Sequence, residues 1–128
     1  MTDTEKITLN MSVVDLGQID LLVSEGYFSS RTDCIRTAIR NMLSEHSGQV
    51  KETVARRSFV IGALLYSRSD LEEKRLKGIR MNVKVLGVFS LANDVTPELA
   101  QATIESIEVH GAFKASEEVK KALADRMK

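Results

Sequence analysis

Polar and apolar side chains alternate along residues 6–11, which read Lys-Ile-Thr-Leu-Asn-Met. Successive side chains of a strand point to opposite faces, so the alternation predicts a half-buried strand. The apolar face would hold Ile7, Leu9 and Met11. The polar face would hold Lys6, Thr8 and Asn10. Only helical patterns follow directly, so we expect this strand to pair with the same strand of a second copy about a two-fold axis.

Two helices are predicted to follow this strand. Ser12 and Ser30 are each followed three residues later by an aspartate, a pattern typical of a helix N-cap. The first helix would end before Gly26, because glycine readily adopts the left-handed conformation common after a helix. The second would run to about Glu45. The predicted apolar stripes comprise Leu16, Ile19, Leu22 and Val23 in the first helix, and Ile35, Ala38, Ile39, Met42 and Leu43 in the second.

The order of these features resembles the ribbon-helix-helix family of bacterial and phage repressors. The similarity covers about the first third of the chain. It consists of the alternating strand, the Gly-Tyr-Phe turn at residues 26–28, Ser-Ser-Arg-Thr-Asp at 29–33 and Ile-Arg-Thr-Ala-Ile-Arg at 35–40. The resemblance implies an α+β fold in which the N-terminal part is a swapped two-stranded β-ribbon dimer, with the ribbon in the DNA major groove.

The resemblance also implies roles for three groups of residues. The residues that contact base edges would be Lys6, Thr8 and Asn10. The residues that contact phosphate at the start of the second helix would be Ser29, Ser30 and Arg31. The dimer core would contain Ile7, Leu9, Met11, Ile35 and Ile39.

The chemistry of these side chains suits those roles. Lysine can donate to guanine, asparagine can bind adenine through two hydrogen bonds, and threonine can bond to a base or contact a thymine methyl group. A helix N-terminus presents free N–H groups to a phosphate, and Arg31 adds a full positive charge there. Residues 1–50 nevertheless carry four basic and seven acidic side chains, which predicts weak affinity for the DNA backbone. The alternative interpretation is that the strand and both helices serve dimerisation only.

The second half of the chain contains three copies of a short pattern. Each copy reads Val-x-Gly followed by apolar residues, with the glycines at 62, 87 and 111, which are 25 and 24 residues apart. Alternation over residues 79–85 predicts a strand, and Thr96 followed by Pro97 predicts the start of a helix. The spacing lies in the range of strand–helix repeat units. It favours a parallel, solenoid-like stack over a compact α+β domain of the βαβ kind.

Composition narrows the possible functions. Apolar residues make up 43% of the 128 and charged residues 28%, as in globular proteins, and no apolar run is long enough to span a membrane. Cys34 is the single cysteine, so we expect a buried, unreactive thiol and a cytoplasmic setting. His46 and His110 lie far apart without neighbouring cysteines or histidines, and the dispersed glycines form no phosphate loop. No metal, cofactor or catalytic site is therefore predicted.

Together these patterns predict a two-part transcriptional regulator that is not an enzyme. Residues 1–47 would form a DNA-binding and dimerisation domain and residues 48–57 a linker, of which residues 51–57 could also extend as a helix. Residues 58–128 would form a repeat-like β/α module for oligomerisation or for binding a protein partner. The protein would act on double-stranded DNA as a homodimer or higher oligomer, most simply as a repressor, without cofactor or membrane. The alternative is a dimeric protein-interaction scaffold that uses the N-terminal fold for dimerisation alone.

Overall fold

A computed structural model describes residues 4–128; residues 1–3, at the start of the predicted 1–47 domain, lie outside the described part. The described chain is α+β, with six α-helices and one three-stranded parallel sheet. It divides into two compact units, Thr4–Thr53 and Val54–Lys128, and each is described by itself.

The first unit contains the two helices that the sequence predicts. Helix α1 spans Val13–Ser24 and helix α2 spans Arg31–Glu45. The hydroxyl of Ser12 accepts a hydrogen bond from the backbone N–H of Asp15 at 3.1 Å, and that of Ser30 accepts one from Asp33 at 3.0 Å. Gly26 follows α1 with a φ of +84°, the left-handed conformation that glycine adopts easily. Both predicted caps and the predicted end of α1 are confirmed.

Residues 4–11 belong to neither helix nor strand in the single chain. A strand is defined by backbone hydrogen bonds to a neighbouring strand, and the three strands of the described sheet all lie in the other unit. The predicted strand at residues 6–11 was expected to pair with a second copy of the chain. It therefore stays a prediction about the dimer.

Helix α3 spans Ser47–Arg57, so residues 48–57, predicted as a linker, are helical throughout. The division between the two compact units falls inside this helix, between Thr53 and Val54. Helix α3 carries Arg56 and Arg57 in its last turn, where positive charge is favourable near the negative end of the helix dipole.

The second unit repeats a strand and a helix three times. Its elements in order are β1 Val60–Tyr66, α4 Arg68–Leu76, β2 Met81–Leu91, α5 Pro97–Thr103, β3 Ile104–Lys114, α6 Glu117–Ala122 and a short 3-10 helix Ala124–Arg126. The sheet order is β1-β2-β3 and both pairings are parallel. Thr96 caps α5 and Pro97 is its first residue, as predicted. The predicted strand at residues 79–85 begins two residues later and continues to Leu91.

The three repeated glycines lie opposite one another across the sheet. Gly62 pairs with Gly87, and Gly87 pairs with Gly111. Their φ angles are +119°, +138° and +129°, a region that other residues rarely adopt. A Cβ added to Gly87 would lie 2.0 Å from the carbonyl oxygen of Gly62, and one added to Gly111 would lie 2.0 Å from that of Gly87. The glycine repeat therefore marks close backbone contact between equivalent strands of a parallel stack.

The core of the second unit lies on one face of its sheet. Helix α5 packs against both α4 and α6, and the three helices share one hydrophobic cluster with the sheet. The Phe89 ring is fully buried and stacks on that of Phe113, with centroids 5.3 Å apart. The buried apolar residues are Leu71, Val83, Val85, Phe89, Leu91, Val95, Leu99, Ala100, Ile104, Ile107, Val119 and Leu123. The side chains that alternate with the core positions along the strands, such as Ile61 and Leu65 of β1, point to the other face, away from α4, α5 and α6.

A small charged cluster ties the end of α3 to β3 within the second unit. Arg57 Nη2 donates to both carboxylate oxygens of Glu108, at 2.8 and 2.7 Å, and His110 Nε2 lies 3.1 Å from the same carboxylate. The ring of Phe59 lies 5.5 Å from that of His110. Hydrogen bonding to His110, together with the charge and hydrogen bonds of Arg57, lowers the pKa of Glu108 from its ordinary value. The carboxylate is therefore held in its charged form.

Candidate nucleic-acid interface

The segment before α1 exposes both sets of its alternating side chains. Lys6, Thr8 and Asn10, the predicted base contacts, are exposed. The apolar side chains between them are also exposed: Ile7 to 79% and Leu9 to 65%, with Met11 half-buried. Apolar side chains at this exposure cost free energy in water, so the segment carries a surface suited to being covered.

The apolar stripe of α2 is likewise uncovered. Ile39 is 41% exposed and Leu43 is 51% exposed, while Ile35 is half-buried. An open hollow on this helix is lined by Ile35, Ile39, Arg36 and Ile7 among others. Cys34, on another side of α2, is the one buried residue of this helix, which confirms the predicted burial of its thiol. Of the residues predicted as dimer core, the first unit thus leaves Ile7, Leu9 and Ile39 exposed and Met11 and Ile35 half-buried.

The predicted phosphate contacts at the start of α2 form hydrogen bonds within the chain. Ser30 caps the helix, and the backbone N–H and hydroxyl of Ser29 both donate to the carboxylate of Asp33, at 3.0 and 3.2 Å. Arg31 binds Asp20 of α1 through two parallel hydrogen bonds, Nε to Oδ1 at 2.7 Å and Nη2 to Oδ2 at 2.8 Å. The three predicted phosphate contacts therefore lie together at one corner, and each already has a partner inside the chain.

Asp20 is the residue of this corner that sequence patterns did not reveal. It lies eleven positions before Arg31, on another helix, and no local rule connects the two. The hydrogen bonds from Arg31 lower the pKa of Asp20, and those to Asp20 raise the pKa of Arg31. Both groups remain exposed, so the pair is accessible to a competing anion. A phosphate could take the place of the carboxylate because guanidinium binds either group through the same two-pronged geometry.

No cluster of three or more histidine, cysteine or acidic side chains that could hold a metal ion occurs within residues 4–128. None of the helices in that part of the chain is both long and apolar enough to cross a membrane.

Comparison with known proteins decides the family. The model of the Ribbon-Helix-Helix transcriptional regulator family matches residues 2–120. The chain belongs to this family. The match extends far beyond the first third, to which the sequence resemblance was confined, and takes in all three strands of the parallel sheet. Family membership points to a transcriptional regulator rather than an enzyme.

Two curated relatives match shorter stretches. An uncharacterized protein of Methanocaldococcus jannaschii, MJ1679, is 49% identical over 41 residues, which are 32% of this chain and 42% of that protein. The transcriptional regulator CdrS of Halobacterium salinarum is 33% identical over 43 residues, which are 34% of this chain and 78% of CdrS. The first of these relatives is thus matched over less than half of its own length. No solved structure matches the chain.

Proposed function

We propose that this ribbon-helix-helix regulator binds double-stranded DNA in a sequence-specific manner as a homodimer and acts as a repressor. The observation that carries the proposal is the exposure of Ile7 and Leu9 in the same short segment as Lys6, Thr8 and Asn10. A segment with two exposed faces of opposite character is suited to burying one face and presenting the other.

In the proposed dimer, residues 6–11 of two copies pair antiparallel. The apolar face of this ribbon, Ile7, Leu9 and Met11, would cover the exposed stripe of α2 at Ile35 and Ile39. The polar face would then carry Lys6, Thr8 and Asn10 twice, on a two-stranded ribbon of a width that the major groove accommodates. Dimerisation and DNA contact would use opposite faces of one strand.

The proposed phosphate contact requires an exchange of partners. Arg31 would leave Asp20 for a backbone phosphate, while Ser29 and Ser30 present the N-terminal end of α2 to the same anion. Breaking an exposed ion pair costs little, because water and salt screen both charges. The exchange would therefore weaken DNA binding only slightly compared with an unpaired arginine.

The chain division follows from this assignment. Residues 1–47 would bind DNA and dimerise, residues 48–57 would connect the two parts as most of α3, and residues 58–128 would drive further assembly or bind a protein partner. Linking several weak DNA contacts in one assembly raises the overall affinity without any new contact. This would compensate for the acidic balance of the N-terminal part.

The second candidate is a dimeric scaffold without a DNA target. It is favoured by the excess of acidic side chains in residues 1–50 and by the engagement of Arg31 with Asp20. Both candidate functions require the dimer. They differ in the polar face of the ribbon, which contacts a ligand only if the protein binds DNA.

Substitution Asn10→Ala in the full chain separates them. An asparagine that bonds an adenine contributes about 1–3 kcal/mol, so affinity for a cognate site should fall about fivefold or more. The matched control is Asn93→Ala, an exposed asparagine of the second unit. Fluorescence anisotropy with DNA from the protein's own promoter, or from a random-sequence selection, gives the affinity, and light scattering gives the mass.

The expected result is weaker DNA binding by Asn10→Ala at unchanged mass, with Asn93→Ala like the wild type. A variant that dissociates into monomers would show that Asn10 faces the dimer core instead. If the wild type selects no DNA sequence at all, the scaffold is the correct function.

A further inference from the structure

The outer edge of the parallel sheet along β1 is uncovered. Among the described strands β1 pairs only with β2, so the backbone groups on its other side have no strand partner. Val60 is 49% exposed, and Ile61 and Leu65 are each 63% exposed. A Cβ added to Gly62 would meet no atom within 4 Å, which shows how open this strand is.

The sequence of β1 carries none of the usual protection of an edge strand. Natural sheets shield their edges with charged side chains, prolines or very short strands, because an exposed edge pairs readily with another chain. The seven residues Val60–Tyr66 read Val-Ile-Gly-Ala-Leu-Leu-Tyr and contain neither a charge nor a proline. An edge of this kind is suited to receiving another strand.

The opposite edge of the sheet differs in both respects. Met127 forms a β-bridge with Ile107 of β3, and the backbone N–H of Lys128 donates to the carbonyl of Ile107 at 2.8 Å. Strand β3 also carries charges, among them Glu105 and Lys114. Joining β3 of one copy to β1 of the next would build an open-ended array, and the covered edge of β3 opposes it. Pairing of β1 with β1 of another copy uses the uncovered edge of both sheets and gives a closed dimer.

We propose that β1 pairs antiparallel with β1 of a second copy, which joins two three-stranded sheets into one sheet of six strands. Full overlap of the seven residues places Ala63 opposite its own counterpart. Ile61 then lies opposite Leu65 of the partner subunit, on the face that points away from α4, α5 and α6. Two side chains that are each 63% exposed thereby become cross-strand neighbours, with Cβ atoms about 4.5–5.5 Å apart.

The occupant is a second copy because the strand is complementary to itself in this register. Ile61 and Leu65, the two most exposed side chains of β1, lie symmetrically about Ala63, so the two-fold pairing matches each with the other. Val60, which is 49% exposed, then lies opposite Tyr66 of the partner subunit. The inference rests on the proposed function only in assigning assembly to residues 58–128. A seven-residue contact is small, and a dimer formed elsewhere in the chain would strengthen it by raising the local concentration of β1.

Cysteine crosslinking of the full chain without DNA tests the pairing. Cys34→Ala supplies a cysteine-free background, in which Ala63→Cys places one thiol at the proposed two-fold axis. The matched control is Leu76→Cys, at a side chain of α4 that is 89% exposed. With a short bis-maleimide crosslinker, Ala63→Cys should form covalent dimers at least about tenfold faster than Leu76→Cys, since opposed residues have a high effective concentration. Addition of Leu65→Lys to Ala63→Cys should remove this excess.

Equal crosslinking rates for the two cysteines would overturn the proposal, as would an excess that survives Leu65→Lys. Equal crosslinking rates are also expected if the β1 edge receives a strand of a different protein or no strand at all, and in both cases the proposal is wrong. Circular dichroism checks that each variant is folded. DNA binding is measured separately. If Ala63→Cys shows no excess crosslinking while DNA binding is intact, the β1 contact alone is refuted. DNA binding absent with crosslinking intact refutes the proposed function alone.

Discussion

Substitution Gly87→Ala tests whether close backbone contact holds the three repeats together. The added methyl group would lie 2.0 Å from the carbonyl oxygen of Gly62, 3.0 Å from its carbonyl carbon and 3.3 Å from its Cα. Carbon–oxygen contacts between neighbouring strands are normally about 3.3–3.6 Å. The neighbouring atoms belong to the backbone of a paired strand, so no side-chain rotation relieves the overlap.

Two terms set the size of the effect. A non-glycine residue at the φ of +138° found for Gly87 costs about 1–3 kcal/mol of backbone strain. Forcing extra volume into a packed region typically costs another 1–3 kcal/mol or so, and more where the structure cannot shift. The sum, about 2–6 kcal/mol, is a large share of the roughly 5–15 kcal/mol that stabilises an ordinary domain.

Gly62→Ala is the matched control for the strain alone. Gly62 has a φ of +119°, in the same region, but a Cβ there would meet nothing within 4 Å. We expect Gly62→Ala to lose about 1–3 kcal/mol and Gly87→Ala to lose at least about 1–3 kcal/mol more. Gly111→Ala, with its own 2.0 Å overlap, should resemble Gly87→Ala.

Urea unfolding measures these differences. The chain has no tryptophan and two tyrosines, of which Tyr66 lies in the second unit beside Phe89, with ring centroids 6.1 Å apart. A Tyr27→Phe background makes tyrosine fluorescence report on that unit. The free energy of unfolding follows from the transition midpoint and its slope. If Gly87→Ala is no less stable than Gly62→Ala, the strands can separate at little cost and the contact argument is wrong.

Two further predictions concern charged pairs. Asp20→Asn should spare Arg31 the exchange and tighten DNA binding slightly, with the same dependence on salt because the number of phosphate contacts does not change. Titrations at two salt concentrations measure this, and weaker binding or a changed salt dependence would contradict the exchange. Glu108→Gln should destabilise the protein at pH 6 but less at pH 3. The pKa of Glu108 is lowered on folding, so its stabilisation is present above the ordinary pKa of about 4.5 and is lost as the pH falls through the lowered value. Urea midpoints of wild type and variant at both pH values measure the loss, and an equal difference at both would contradict it.

Helix starts could be predicted from the sequence because their hydrogen bonds are local. Ser12 and Ser30 accept from backbone groups three residues away, a distance that one turn of helix closes without help from the rest of the chain. Thr96 and Pro97 at the start of α5 follow the same rule. Gly26 after α1 depends only on its own backbone freedom.

Partners far apart along the chain could not be predicted in this way. Arg31 and Asp20 are eleven residues apart, and Arg57 and Glu108 are 51 apart. Many charged pairs of similar separation are possible in such a sequence, and packing of the elements selects among them. The family resemblance implied that Arg31 contacts phosphate, and no local pattern indicated that Asp20 already binds it.

The repeat of Gly62, Gly87 and Gly111 shows where the two kinds of information meet. Their spacing alone indicated three equivalent strand–helix units. The parallel pairing of the strands decided that the glycines lie in register, with one backbone against the next. The tertiary structure also decided which face of the sheet the helices α4, α5 and α6 cover. Backbone conformation and capping depend on neighbours in sequence. Strand register and burial depend on contacts between residues that are 24 or 25 positions apart in the chain. Closing such a segment costs conformational entropy, and packing of the core offsets this cost.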